Sequence, residues 1–112
     1  MTYEFEDNYV YFSVCAGNEI TVGDKIFIEI LDIPIVVYNI NGEFYAIADL
    51  CTHSECALGD GELAGYEVIC PCHGARFDVR DGKVLSLPAI KDVASYPTRI
   101  VDDMLEIGVP AQ

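Results

Sequence analysis

The stretch that most limits what this chain can become runs from residue 51 to residue 73. Cys51-Thr52-His53 opens it and Cys70-Pro71-Cys72-His73 closes it, with sixteen residues between the two groups. Each end offers one thiol and one imidazole, two residues apart in the first and three in the second. The only two His of the chain fall here, beside four of its five Cys. Thiolate and imidazole together suit zinc or an iron–sulfur centre. Any fold must therefore bring two loops, distant in sequence, beside one another.

The rest of the chain reads as strands. Val10 to Cys15 is a β-rich run broken at Gly17-Asn18. Lys25 to Ile30 alternates, which turns Ile26, Ile28 and Ile30 to a core and Lys25 and Glu29 to water. Pro34 starts the run Ile35 to Ile40, and Asn41-Gly42 follows. That dipeptide is a strong hairpin signal, because both central positions of a type I′ turn need positive φ. The return strand, Glu43 to Ala48, delivers Asp49-Leu50 to the first Cys-His group. Beyond Cys56, Ala57-Leu58-Gly59-Asp60-Gly61 is a turn. Glu62–Ala64 and Tyr66–Ile69 form a small hairpin that carries Cys70 back beside Cys51. Arg76–Val79 turns at Asp81-Gly82 into Lys83–Leu85, and Leu87-Pro88-Ala89 is an apolar loop. A last hairpin joins Ser95–Val101 to Met104–Ile107. One helical turn near residues 54–58 or 91–94 is the most helix the pattern allows. Short strands with regular turns predict an all-β fold, a sandwich or small barrel.

At 112 residues, 52% hydrophobic, the chain predicts one domain, residues 1–112, burying about 65% of its unfolded surface. No apolar run is long enough to span a membrane, and the acidic N-terminus has no signal-peptide pattern; the expected location is the cytoplasm. Nineteen acids against six bases give a net charge of −13. That argues against nucleic acid or an anionic membrane surface as partner and suits a partner with a basic docking face. The fifth cysteine, Cys15, reads as a core thiol.

The pattern within the two groups separates the metal alternatives. A Cys2His2 zinc site pairs Cys with Cys and His with His. Here each arm is mixed, which lets each loop give a sulfur to one iron and a nitrogen to another, as in a 2Fe-2S centre with two His ligands. Cys51-Thr52-His53 and Cys70-Pro71-Cys72-His73-Gly74 together resemble the two ligand boxes of the Rieske family, and the spacing between them is similar too. The resemblance covers roughly residues 45 to 90. It implies an antiparallel β-sandwich base with a small inserted cluster-binding subdomain, about residues 50–75. It implies one Rieske-type 2Fe-2S cluster, with Cys51 and Cys70 on one iron and His53 and His73 on the other. Leu87-Pro88-Ala89 would then be the proline loop that covers the cluster from a third side.

The same resemblance carries two finer expectations. His ligation places such clusters at roughly −150 to +300 mV, and hydrogen bonds to the sulfurs choose a place in that range. Respiratory and photosynthetic members carry a Ser after the His-Gly pair and a Tyr two residues further on. This chain has Ala75 and Phe77, which donate nothing, so a potential in the lower part of the range is expected. Cys56 and Cys72, however, stand where the high-potential members have a disulfide. Either that bridge forms, or both remain thiols in a reducing compartment.

Function follows from counting. A mononuclear iron on two His and a carboxylate would need a second pair of His, and the cluster uses both. Gly59-x-Gly61 opens no helix and is no dinucleotide fingerprint. What remains is outer-sphere one-electron transfer, with no catalysis of its own. The resemblance implies a monomeric ferredoxin that takes an electron from an NAD(P)H-dependent flavin reductase and passes it to a terminal ring-hydroxylating oxygenase of aromatic catabolism. Contact with both would be transient, at the His53/His73 tip. Two alternatives stay open: an electron-transfer subunit of a nitrite-reductase-type complex, and a redox-sensing module that uses Cys56 and Cys72.

Overall fold

The structure, a computed structural model, describes residues 5–6, 8–51, 56–72, 74–89 and 91–111. In chain order the strands are β1 (Phe5–Glu6), β2 (Tyr9–Ala16), β3 (Lys25–Ile30), β4 (Ile33–Ile40), β5 (Glu43–Ala48) and β6 (Leu63–Ala64). They continue as β7 (Glu67–Ile69), β8 (Arg76–Asp78), β9 (Val84–Ser86), β10 (Ser95–Tyr96), β11 (Thr98–Val101) and β12 (Met104–Pro110). They pair antiparallel into three four-stranded sheets, ordered β1-β2-β12-β11, β10-β5-β4-β3 and β6-β7-β8-β9. The only helical pieces among the described residues are two 3₁₀ turns, Gly17–Glu19 and Leu58–Asp60. Among the described residues, no helix is long and apolar enough to cross a membrane.

The sheet of β3, β4 and β5 lies between two cores, which is why β4 is buried along most of its length. Side chains alternate across a strand. Ile35 and Val37 therefore enter one core with Leu105, Ile107 and Val109 of β12. Val36 and Tyr38 enter the other, with Leu58, Val68, Phe77 and the cysteines Cys51 and Cys70. Ile26 and Ile28 pack against the first core and Ile30 is buried in it, as the alternation of β3 predicts. Cys15 is half-buried on β2 against the same core.

The turns make β3, β4 and β5 one continuous meander. Asn41 and Gly42 take φ of 55° and 90°, as the type I′ turn requires. Leu31 and Asp32 do the same between β3 and β4, at 52° and 67°, although only Asp32 is a residue that turns favour. Asn39, the buried polar side chain of β4, donates to the Ile20 carbonyl at 2.7 Å and accepts the Gly42 amide at 2.9 Å. It ties the second hairpin to the loop ahead of β3.

Two expectations need correction. Residues 95–101 are not one strand: Ser95 and Tyr96 pair with β5, whereas Thr98 to Val101 pair with β12 in another sheet. Pro97 has no amide to donate, and its carbonyl accepts from Gly108 at 2.9 Å, so the chain changes sheets there. Lys25 does not simply face water. The Leu58–Asp60 turn roofs that side of β3, and the Lys25 ammonium donates to the Gly59 carbonyl. The helical turn expected near 54–58 falls partly on residues outside the described set; residues 91–94 are irregular.

Candidate metal centre

Each candidate cysteine ends a strand-borne arm and opens a tight loop. β5 leads through Asp49 and Leu50 to Cys51; β7 ends at Ile69, the residue before Cys70. The Cys51 amide donates to the Cys56 carbonyl at 2.9 Å, and the Cys70 amide to the Ala75 carbonyl at 2.7 Å. The two loops are thus closed by the same bond, from one residue to the carbonyl five further on. The Gly74 amide tightens the second by donating to the Cys70 carbonyl at 3.0 Å, and its φ of 76° favours a residue without a Cβ.

Cys51 and Cys70 are each 2% exposed and belong to one buried cluster. Neither enters a disulfide. Cys56 and Cys72 are bonded to each other, with Cα atoms 6.4 Å apart, across the two loops. His53 and His73 lie outside the described residues, so the imidazole half of the donor set has no described geometry. Two thiols brought together in a dry pocket, at the mouths of loops that each carry a His in sequence, suit a soft metal centre such as iron bound to sulfide.

A third segment packs into the same buried cluster. Ala89 is buried in the cluster that holds both cysteines, while Leu87 is 75% exposed. Its ends are pinned: the Val84 amide donates to Asp92 Oδ1 at 2.9 Å, and the Val93 amide to the Gly82 carbonyl at 2.9 Å. Gly82 sits at φ 80° with no room for a Cβ beside the Val93 carbonyl. Ala75 and Phe77 are both fully buried in the pocket wall, so neither supplies a donor there.

Near the start of the first cysteine arm lie polar groups that the sequence did not single out. Asp49 Oδ1 accepts the Gly59 amide at 2.6 Å, and Lys25 holds the carbonyl of the same residue. Burial pushes the Asp49 carboxyl above its usual value; the Gly59 amide pulls it back, Asp60 raises it, and Lys25 lowers it. Tyr38 is 1% exposed, and its hydroxyl has no hydrogen-bond partner among the described residues. Burial, and then the Asp49 charge, push that phenol well up. An aspartate two residues before a candidate cysteine is the one sequence signal that could have pointed here.

The Rieske [2Fe-2S] domain profile matches residues 10–97. The chain belongs to the Rieske [2Fe-2S] domain family. It is 41% identical over 83 residues to the ferredoxin component of the naphthalene 1,2-dioxygenase/salicylate 5-hydroxylase systems of Ralstonia sp, covering 74% of this chain and 80% of that one. It is 36% identical over 90 residues to the ferredoxin component of the naphthalene 1,2-dioxygenase system of Pseudomonas putida, covering 80% and 86% of the two. Among solved structures, the ferredoxin of carbazole 1,9a-dioxygenase from Nocardioides aromaticivorans IC177 superposes with a TM-score of 0.83 at 25% identity, over 91% of this chain and 98% of that one.

Proposed function

We propose that this chain holds one Rieske-type 2Fe-2S cluster on Cys51, His53, Cys70 and His73 and serves as the ferredoxin component of an oxygenase system. The observation that carries the reading is the pair of buried thiols, Cys51 and Cys70, kept out of disulfides in one dry cluster. A cluster bound there supplies reversible one-electron exchange. The protein's part is to hold and shield. Cys51 and Cys70 would hold one iron, and His53 and His73 would hold the other. The Cys56–Cys72 bridge staples the two loops, and Ala89 seals the third side.

The electron comes from an NAD(P)H-dependent flavin reductase and goes to a terminal ring-hydroxylating oxygenase. The relatives' places in naphthalene dioxygenase systems support an aromatic substrate for that oxygenase. The site of action is the cytoplasm, and the unit is a single domain that works as a monomer. Docking is brief, since the same tip serves donor and acceptor in turn. The charge of −13 suits a basic face on either partner.

The test is purification followed by metal analysis and spectroscopy. The reading expects red-brown protein with about two irons per chain and an EPR signal only after reduction. Cys51→Ser and Cys70→Ser should abolish both. Colourless protein containing zinc contradicts it. Reconstitution with candidate reductase and oxygenase pairs, followed by substrate-coupled NAD(P)H oxidation, then names the system.

A further inference from the structure

The Leu58–Asp60 turn and the glycine after it touch the base of both cysteine arms. On the first side stand Asp49, two residues before Cys51, and Lys25 of β3. Asp49 takes the Gly59 amide at 2.6 Å and Lys25 takes the Gly59 carbonyl. Both backbone polar groups of one residue are therefore gripped by side chains. A Cβ on Gly59 would overlap the Phe27 ring, so any other residue there would have to push that ring aside. On the second side Gly61 lies against Ile69, the residue before Cys70, and a Cβ there would overlap the Ile69 carbonyl. The Ile69 amide donates to the Glu62 carbonyl at 2.9 Å. Between the two sides, Leu58 is fully buried among Cys51, Cys70 and their neighbours.

We propose that Asp49 is a positioning residue: its grip on the Gly59 amide locks the 58–61 turn as the spacer that sets how the Cys51 and Cys70 arms stand to one another, and through them the geometry of the cluster. The proposal rests on the reading of Cys51 and Cys70 as cluster ligands. A hydrogen bond to a carboxylate is short and roughly twice as strong as one between neutral groups. Asp49 can also act on a nearby cluster by charge alone. The two effects separate by substitution. Asn keeps an acceptor oxygen where Asp49 has Oδ1 and drops the charge; Ala drops both.

The experiment compares reduced wild-type, Asp49→Asn, Asp49→Ala and Lys25→Met proteins by EPR line shape and by the rate of visible-absorbance loss under an iron chelator. A wild-type signal establishes the cluster; its absence sinks the ligand reading rather than the role of Asp49. Given that signal, Asp49→Asn, which keeps a weaker, neutral acceptor, should change line shape and release rate clearly less than Asp49→Ala does. Asp49→Ala should shift the line shape and release iron about tenfold faster or more, the equivalent of losing one charge-assisted hydrogen bond. Lys25→Met, which frees the other group of Gly59, should shift the line shape less, in the same direction. Unchanged behaviour in Asp49→Ala overturns the proposal, and so do equal shifts in Asn and Ala, which charge alone would produce. Where Asp49→Ala fails to assemble, Lys25→Met decides: a shifted line shape supports the spacer, and a wild-type line shape overturns it.

Discussion

Cys56 closes the loop that Cys51 opens, and it is bonded to Cys72, which lies within the loop that Cys70 opens, at a sequence separation of 16. Closing a loop of that length removes chain entropy from the unfolded state worth about 3 kcal/mol. Cys56→Ser with Cys72→Ser should therefore lower the melting temperature by roughly 10 °C and speed cluster loss. Alkylation of the native protein without reductant, read by mass spectrometry, checks the bond directly: two alkylated sites at 56 and 72 contradict it.

Ala75 and Phe77 line the cysteine pocket without offering a proton. Ala75→Ser places a hydroxyl beside the carbonyl that receives the Cys70 amide. A donor to the cluster sulfurs favours the reduced, more negative state. The reduction potential should rise by roughly 40 to 60 mV, the one-electron equivalent of one net hydrogen bond. Phe77→Tyr should act in the same direction. Protein-film voltammetry measures both, and no rise in either variant removes this account of a low potential.

The turn at Leu31-Asp32 holds two non-glycine residues at positive φ, and Leu31 is 64% exposed, so no packing compensates. A left-handed conformation costs an L-residue about 1 kcal/mol or more. Replacing the pair by Leu31→Asn and Asp32→Gly, the residues that serve at 41 and 42, should raise the melting temperature by roughly 4 °C or more. The cluster spectrum should not move, because the turn lies at the far end of β3 from Lys25. Calorimetry and EPR together test this.

The Tyr45 hydroxyl donates to Glu43 Oε2 at 2.6 Å. That bond, helped by burial, pushes the phenol up to about 12. The neutral phenol is the bound form, so the stabilisation is fully present below the ordinary tyrosine value. It is lost as pH rises from there through about 12. The phenolate absorbance difference between wild type and Tyr45→Phe should titrate in that range. Glu43→Gln should bring it back toward the ordinary value; a wild-type difference curve already at the ordinary value contradicts the bond.

Much of this fold is legible in local pattern. The alternation of Lys25 to Ile30 and the Asn41-Gly42 dipeptide define β3 and the β4–β5 hairpin, because period and turn chemistry are local properties. Leu31-Asp32 escapes notice because Leu is no turn residue and Asp without a following Gly is a weak hairpin signal. Pro97 marks a break, but nothing local says that the chain changes sheets there. The spacing of Cys51 and Cys70 singles them out, and the fold buries them together. Lys25 and Asp49 are different. Alternation tells which face of a strand a side chain takes but not what later segment will roof that face, and Gly59 arrives from thirty-four residues away.

The central claim is that two Cys and two His hold a two-iron cluster that carries one electron. Pulsed EPR of the reduced protein, grown with isotope-labelled histidine, tests it most directly. The account predicts a paramagnetic cluster coupled to nitrogens of two labelled imidazoles, with one coupling lost in His53→Cys and the other in His73→Cys. A cluster with no histidine nitrogen coupling, or a reduced protein with no paramagnetic centre, would contradict it.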